Sequence, residues 1–150
     1  MHSRIITLDN ENMYDENDLF EMMPQGVDYV SEMDLGSHVQ NLKEFLERIG
    51  TVDDDMVLHI DFDKVKHELE ALYKEYEKYQ IECFADFADS HKVWCAKTYI
   101  EDEYGLHIYS DWGGMDTWAG FLRTLYGHRS DEWRKDVERW EVTGLFDYHY

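Results

Sequence analysis

The chain is poor in positive charge. It has 14 lysines and arginines against 34 aspartates and glutamates, which gives a formal net charge of −20 on 150 residues. So few cations argue against direct binding to nucleic acid or to anionic membranes, because both depend on Lys and Arg. No run of 18 apolar residues is present, which argues against a transmembrane helix. No apolar run of a signal peptide is present either, so we expect a cytoplasmic protein, in the host cytoplasm if it is phage-encoded.

Proline, glycine and cysteine are also scarce. One proline and nine glycines leave little room for flexible linkers, and we expect residues 1–150 to form a single acidic domain. The two cysteines, Cys83 and Cys95, are expected to be free thiols in a chain without an export signal. Hydrophobic residues make up 43% of the chain and aromatic residues 15%, which is too much for a disordered acidic tail.

The hydrophobic pattern predicts an α+β fold that is mostly helical, with about five helices and a small sheet of short strands. Strands are predicted at 3–9, 56–60, 106–109 and 145–150, and the last is expected to pair with the first. Each helix is predicted to begin after a residue that can act as an N-cap. These caps are Asp15, Ser37, Asp61 or Asp63, Asp116 and Ser130.

Several boundaries in this pattern are less simple. Residues 27–33 fit a strand or a loop, and Gly50 is expected to end the second helix. The helical spacing that begins at Phe62 either continues to residue 103, as one helix or a broken pair, or gives way to a strand at 92–100. Trp133, Val137 and Trp140 have the spacing of a last amphipathic helix.

The excess negative charge is concentrated in two segments. Residues 1–37 contain nine acids and one base, and residues 51–63 contain five acids and no base. A halophilic protein usually disperses its acids over the whole surface, whereas these are in blocks. The predicted helices over 38–80 carry mixed charge that can pair with itself along each helix.

We take twelve carboxylates from these acidic blocks and the 101–103 triplet as candidate partner-binding residues. Acids at i,i+3 or i,i+4 on a helix lie about 5–6 Å apart, which is similar to the spacing of successive phosphates along a DNA strand. The candidates are Asp15, Glu16, Asp18, Glu21, Asp53, Asp54, Asp55, Asp61, Asp63, Glu101, Asp102 and Glu103. In size and composition alone, the chain resembles the acidic phage-type inhibitors that mimic DNA and block restriction or CRISPR nucleases.

This resemblance implies an anti-restriction or anti-CRISPR inhibitor that occupies a basic, nucleic-acid-binding surface of a partner protein, such as a nuclease. Binding should then weaken with salt and near pH 5, where the eight histidines can add positive charge. An immunity protein or antitoxin that neutralises a basic toxin is the alternative, because it would also bind a basic partner through its negative charge. A homodimer is left open.

A metal-dependent enzyme is the third alternative. His59 and Asp61 share a face of the predicted strand, and His107 or Asp111 could complete a site for Zn²⁺ or Fe²⁺. Cys83, His91 and Cys95 form a second incomplete set. We favour helix capping and core packing for these residues, and we predict no enzyme activity, no catalytic residue, no metal and no cofactor.

Overall fold

The computed structural model describes residues 2–10, 14–23, 25–76, 106–110, 114–130 and 139–150. Seven strands and four α-helices lie in this part of the chain. The strands are β1 (His2–Asp9), β2 (Tyr29–Glu32), β3 (Gly50–Val52), β4 (Val57–Ile60), β5 (Leu106–Ser110), β6 (Gly114–Thr117) and β7 (Arg139–His149). The helices are α1 (Glu16–Met22), α2 (Val39–Leu46), α3 (Phe62–Tyr76) and α4 (Trp118–His128), and a 3-10 helix at Leu35–His38 leads into α2.

All seven strands belong to one mixed sheet. Its order is β3-β4-β7-β1-β5-β6, and β2 is an additional partner of β7. The pair of β1 and β5 is parallel, and the other pairs are antiparallel. One edge of β7 pairs with β1 from Glu141 to His149, and its other edge pairs first with β4 and then with β2. The longest strand therefore holds three others together.

The sheet has a main core on one face. Successive residues of a strand point to opposite faces, and on β1 the side chains of Ile6 and Leu8 enter the main core while Ile5 packs on the other face. Helices α2, α3 and α4 cover the main core. Their buried residues in it are Leu42, Leu46, Val65, Leu69, Leu72, Trp118, Ala119, Phe121, Leu122 and Leu125. None of the described helices is long and apolar enough to cross a membrane.

The opposite face of the sheet is covered by α1. Leu19 is fully buried there in a second cluster with Ile5, Tyr109 and Phe146. Helix α1 has only seven residues, so its local propensity alone would not keep it folded. Burial of Leu19 and capping by Asp15 hold it on the sheet.

The predicted fold class is wrong. In the described residues the sheet has seven strands, and four helices are present rather than about five in a mostly helical fold. Strands β3 and β6 were not predicted, and β7 begins before the predicted strand at 145–150. Trp140 fits a helical spacing but lies in β7 opposite Leu58 of β4. Gly50 was expected to end a helix, yet it begins β3 and pairs with Ile60.

A close approach requires glycine at position 50. A Cβ atom there would lie 2.0 Å from the backbone oxygen of His59 on the neighbouring strand.

Two of the predicted helix caps are formed by other residues. Asp34, not Ser37, accepts a hydrogen bond at the 3-10 helix, and Thr117, not Asp116, caps α4.

Several other predictions are confirmed. The first strand, the strand at 106–109 and the pairing of the C-terminal strand with β1 are present. Asp15 caps α1, and Asp61 stands directly before α3, where its Oδ1 accepts hydrogen bonds from the backbone of Asp63 and Lys64. The predictions for 77–103, for 131–138 and for Cys83, His91, Cys95 and Asp111 lie outside the described residues.

Candidate partner-binding surface

The acidic helix α1 is fixed by a reciprocal cap. The Asp15 carboxylate accepts hydrogen bonds from the backbone N–H of Asn17 at 2.8 Å and of Asp18 at 3.0 Å. The Asp18 carboxylate in turn accepts one from the backbone N–H of Asp15 at 3.2 Å. A capping box of this kind pairs N–H groups that a helix end otherwise leaves open, and acids in the first turn are favoured by the helix dipole.

The outward side of α1 combines carboxylates with large apolar side chains. Asp18 and Glu21 are exposed and lie at i,i+3 spacing, where side chains are neighbours. Phe20 and Met22 are 44% and 40% exposed, and they are two of the four large hydrophobic residues that are exposed in the described chain. Solvated aromatic and methionine side chains surrounded by charge are typical of protein-binding surfaces.

Glu16 connects α1 to the edge of the sheet. Its carboxylate accepts a hydrogen bond from the backbone N–H of Glu32, at 2.6 Å, on the outer edge of β2. An open strand edge invites pairing with another chain, and the Glu16 carboxylate occupies one donor of this edge. We call the exposed residues of this region the α1–β2 surface. It consists of Asp15, Glu16, Asp18, Phe20, Glu21, Met22 and Glu32.

The α1–β2 surface has no compensating cation in the described structure. From Ile5 to Leu42 the chain contains no lysine or arginine, and none of the five carboxylates of this surface forms an ion pair with a described residue. The nearby histidines contact other acids, since Nδ1 of His149 lies 2.7 Å from Oδ2 of Asp28 and Nδ1 of His2 lies 2.8 Å from Oδ2 of Asp147. The negative charge of this surface therefore faces solvent.

Asp53 has a structural role in the turn between β3 and β4. Its Oδ1 accepts hydrogen bonds at 3.0 Å from the backbone N–H groups of Val57 and Asp55, and its Oδ2 lies 3.2 Å from Nε2 of His59. The hydrogen bond from the Val57 backbone, and after it the one from His59, lowers the pKa of the Asp53 carboxyl below its usual value of 3.8. In the same turn Met56 has a φ of 60°, and these bonds hold that unfavourable backbone.

The other acids of this segment differ in their contacts. Asp54 is fully exposed and lies 3.4 Å from Nζ of Lys43. The Asp55 and Asp63 side chains are exposed and form no hydrogen bond or ion pair with the described part of the chain. Asp61 is committed to the start of α3. Two of the five predicted residues in this segment, Asp53 and Asp61, therefore use their carboxylates to hold local structure in place.

The predicted residues do not form one continuous surface. Helix α1 packs on one face of the sheet and α3 on the other, so the acids of α1 and Asp63 lie on opposite sides of the molecule. Asp53 precedes β4 and Asp61 follows it, and a four-residue strand separates them by about 13 Å. Glu101, Asp102 and Glu103 lie outside the described residues. Asp15, Glu16, Asp18 and Glu21 are brought together on α1 and its N-cap.

The predicted metal ligands are separated. His59 contacts Asp53 rather than Asp61, and Nδ1 of His107 lies 2.8 Å from the hydroxyl of Tyr148. Strands β4 and β5, which carry the two histidines, are three positions apart in the sheet, a distance of about 14 Å. Among the described residues, no group of three or more His, Cys, Asp or Glu side chains could hold a metal ion.

The sequence reasoning missed Glu32, Phe20 and Met22. Glu32 belongs to the acidic block of residues 1–37, but its place beside α1 depends on the pairing of β2 with β7. Phe20 and Met22 are apolar residues of α1, yet Leu19 is the residue that this helix buries. A seven-residue helix with one buried side chain leaves the neighbouring apolar residues in solvent.

Comparison of the chain with protein-family models, with curated proteins and with solved structures found no match. What the protein binds therefore has to be inferred from its own surface.

Proposed function

We propose that the protein is an acidic inhibitor that binds a basic, nucleic-acid-binding surface of a partner protein in place of DNA. The observation that carries the proposal is the α1–β2 surface. Five carboxylates lie there on two adjacent elements, and no cation of the described residues is paired to them. A duplex presents closely spaced negative charges to its binding proteins. A rigid row of carboxylates can occupy the same cationic groove and benefits from electrostatic steering.

The apolar residues of this surface favour a protein as the partner. Phe20 and Met22 are exposed between the acids, and aromatic and Met side chains are enriched at protein interfaces. Charges at the rim of an interface mainly set the association rate, while buried aromatic anchors set most of the affinity. We expect the acids to steer the encounter and Phe20 to fill a pocket beside the basic groove, with the nuclease or DNA-binding complex located in the cytoplasm.

Release of proteins from immobilised DNA tests this function. Bacterial extract is bound to a duplex-DNA column at low salt, and the purified protein is applied as a soluble competitor. A DNA mimic should elute a small set of DNA-binding proteins, identified by mass spectrometry, that polyglutamate at equal charge concentration leaves on the column. Elution of the same proteins by polyglutamate would mean that bulk charge, not a shaped surface, is responsible.

Paired variants locate the surface. Glu21→Gln with Glu32→Gln removes two charges from the α1–β2 surface, and Asp55→Asn with Asp63→Asn removes two charges elsewhere. Exposed ion pairs contribute about 0.2–1 kcal/mol each, so the loss of two should cost about 0.4–2 kcal/mol. We therefore expect the first variant to bind an eluted protein roughly 2–30-fold more weakly. The second variant should bind like the wild type. Equal weakening by both variants would contradict the assignment to this surface.

A further inference from the structure

A cavity of about 420 Å³ lies between α2 and the strands β1, β5 and β7. Apolar side chains form most of its wall, and three of them, Ile6, Leu42 and Leu145, are at most 5% exposed and make up its floor. Phe45 and Leu106 are the other apolar residues of the wall. Ligand sites in proteins are mostly apolar clefts of about 300–1,000 Å³ with a few placed polar groups, and this cavity has that size and that kind of wall.

Three polar residues complete the wall of this cavity. Arg4 and Asn41 are exposed, and His38 is half-buried, so the polar residues lie nearer to solvent than the floor does. The side chains of His38 and Asn41 form no hydrogen bond with the described part of the chain, although an imidazole and an amide each carry an N–H donor. A bound molecule would therefore place its apolar part on the floor and its polar part beside these three side chains.

Arg4 carries donors that no carboxylate of the described residues takes up by a hydrogen bond. Its Nη1 lies 3.0 Å from Sδ of Met33, and a thioether sulfur is a weak acceptor. Its Nε lies 3.8 Å from Oδ1 of Asp147, which is beyond hydrogen-bond distance, and Oδ2 of Asp147 lies 2.8 Å from Nδ1 of His2. The Arg4 guanidinium, which lines the cavity, can therefore donate to an acceptor on a bound molecule.

We propose that this cavity binds a small monocarboxylate with an apolar body, such as an arylalkanoic acid. A carboxylate matches the planar guanidinium of Arg4, which can donate two parallel hydrogen bonds to it. The apolar floor favours a hydrocarbon body. A phosphate or a dicarboxylate fits less well, because its second negative charge would meet a single guanidinium in a protein of net charge −20.

Phenylacetate is a suitable probe, because it joins one carboxylate to one ring. Phenylacetamide is its uncharged analogue of the same size, and acetate is the carboxylate without the ring. Each is titrated at low salt into the ¹⁵N-labelled protein, and the backbone amide signals of α2 and β5 are followed. We expect phenylacetate to bind saturably with a Kd of about 1 mM, as is usual for a ligand of ten heavy atoms, and the other two to bind about three- to tenfold more weakly.

Two results of these titrations would overturn the proposal. The absence of a saturable shift up to about 10 mM phenylacetate, a limit set by the expected Kd, would mean that the cavity does not bind this class of molecule. Equal Kd values for phenylacetate and phenylacetamide would mean that the carboxylate is not recognised.

Arg4→Gln separates the charge contact from a general loss of structure. It should weaken the binding of phenylacetate by about three- to tenfold and leave that of phenylacetamide unchanged, because only the carboxylate depends on the guanidinium. Wild-type affinity of Arg4→Gln for phenylacetate would contradict the role of Arg4.

A second pair of variants locates the site. Gln40 and Asn41 are neighbouring exposed residues of α2, and of the two only Asn41 lines the cavity. Asn41→Phe should fill the cavity and weaken phenylacetate binding by about tenfold or more, while Gln40→Phe should bind like the wild type. Unchanged affinity in Asn41→Phe would place phenylacetate elsewhere and refute the site.

Discussion

At the scale of single residues, several of the acids in this chain stabilise local structure, and one of them, Asp15, does so within the α1–β2 surface. Asp15, Asp34, Asp53 and Asp61 each accept backbone N–H groups at a turn or a helix start. Hydrogen bonds from Ser37, through its hydroxyl and its backbone, lower the pKa of Asp34 below its usual value. Aspartate is favoured at such positions because its short side chain reaches the backbone of nearby residues.

Asp53 provides a prediction about pH. Its pKa is lower in the folded protein than its usual value of 3.8. The ionised carboxylate therefore stabilises the fold above about pH 3.8, and this stabilisation is lost as the pH falls through the lower pKa of the folded protein. Asp53→Asn should therefore lower the urea midpoint near neutral pH, and the difference from wild type should shrink below about pH 3.8. Urea unfolding across this pH range measures both effects.

Asp55→Asn is the control for this residue. The Asp55 carboxylate lies in the same turn but accepts no hydrogen bond from the described residues, so its replacement should change the urea midpoint less than Asp53→Asn does. A constant difference between Asp53→Asn and wild type at every pH would mean that the Asp53 charge does not stabilise the turn.

At the scale of elements, α1 depends on its cap and on one buried side chain. Asp15→Ala removes the acceptor of two N–H groups and should destabilise α1 by about 1 kcal/mol. Hydrogen exchange of the α1 backbone amides, including that of Leu19, should become faster, and affinity for an eluted partner should fall as the acidic surface loses its order. Both quantities are measured on the same labelled protein.

Asp15→Ser separates the cap from the charge. Serine retains a capping oxygen but removes the same negative charge as alanine does. Slow exchange in Asp15→Ser together with fast exchange in Asp15→Ala is the expected result. Equal exchange rates in the two variants would show that the cap does not hold α1 in place.

The elements that the sequence predicts well are those whose pattern is local. Helix α3 buries Val65, Leu69 and Leu72 at helical spacing after an Asp61 cap, and β1 is rich in β-branched residues. Strand β3 has three residues and exists because Gly50 lies against the backbone of β4. The start of β7 is likewise set by pairing with β4, and spacing along the chain does not reveal such a partner.

The candidate site, like the fold, was predictable where it depends on residues that are close in sequence. The acids of α1 are neighbours in sequence, so their grouping followed from the predicted helix. The position of Glu32 beside Glu16 requires the pairing of β2 with β7. The separation of Asp63 from α1 requires knowledge of which helix covers which face of the sheet, because both segments are equally acidic in sequence.

At the scale of the whole molecule, the charge is uneven on the folded surface as well as along the chain. The α2–α3 side contains matched pairs, since Arg48 binds Glu68, Lys66 lies 3.8 Å from Glu70, and Lys43 lies near Asp54. The α1–β2 surface contains no such pair among the described residues. A protein that needed acid only for solubility or for life in high salt would not require this asymmetry.

Salt should therefore act on folding and on binding in opposite directions. Raising NaCl from about 50 to about 500 mM shortens the Debye length to a few ångströms. This screens the self-repulsion of a chain with net charge −20, so the Tm should rise. The same screening weakens the contact between the α1–β2 surface and a basic partner, so affinity should fall by about tenfold or more.

Calorimetry and binding titrations in the same buffers test both effects. The measurements at low salt also decide whether the excess of acidic residues serves partner binding or adaptation to high salt. We expect a cooperative transition and native near-ultraviolet circular dichroism at about 50 mM NaCl, because the apolar core does not require screening. Loss of structure at that concentration would instead indicate adaptation to high salt. An affinity that does not change with salt would contradict an ionic interface, even if the protein remained folded throughout.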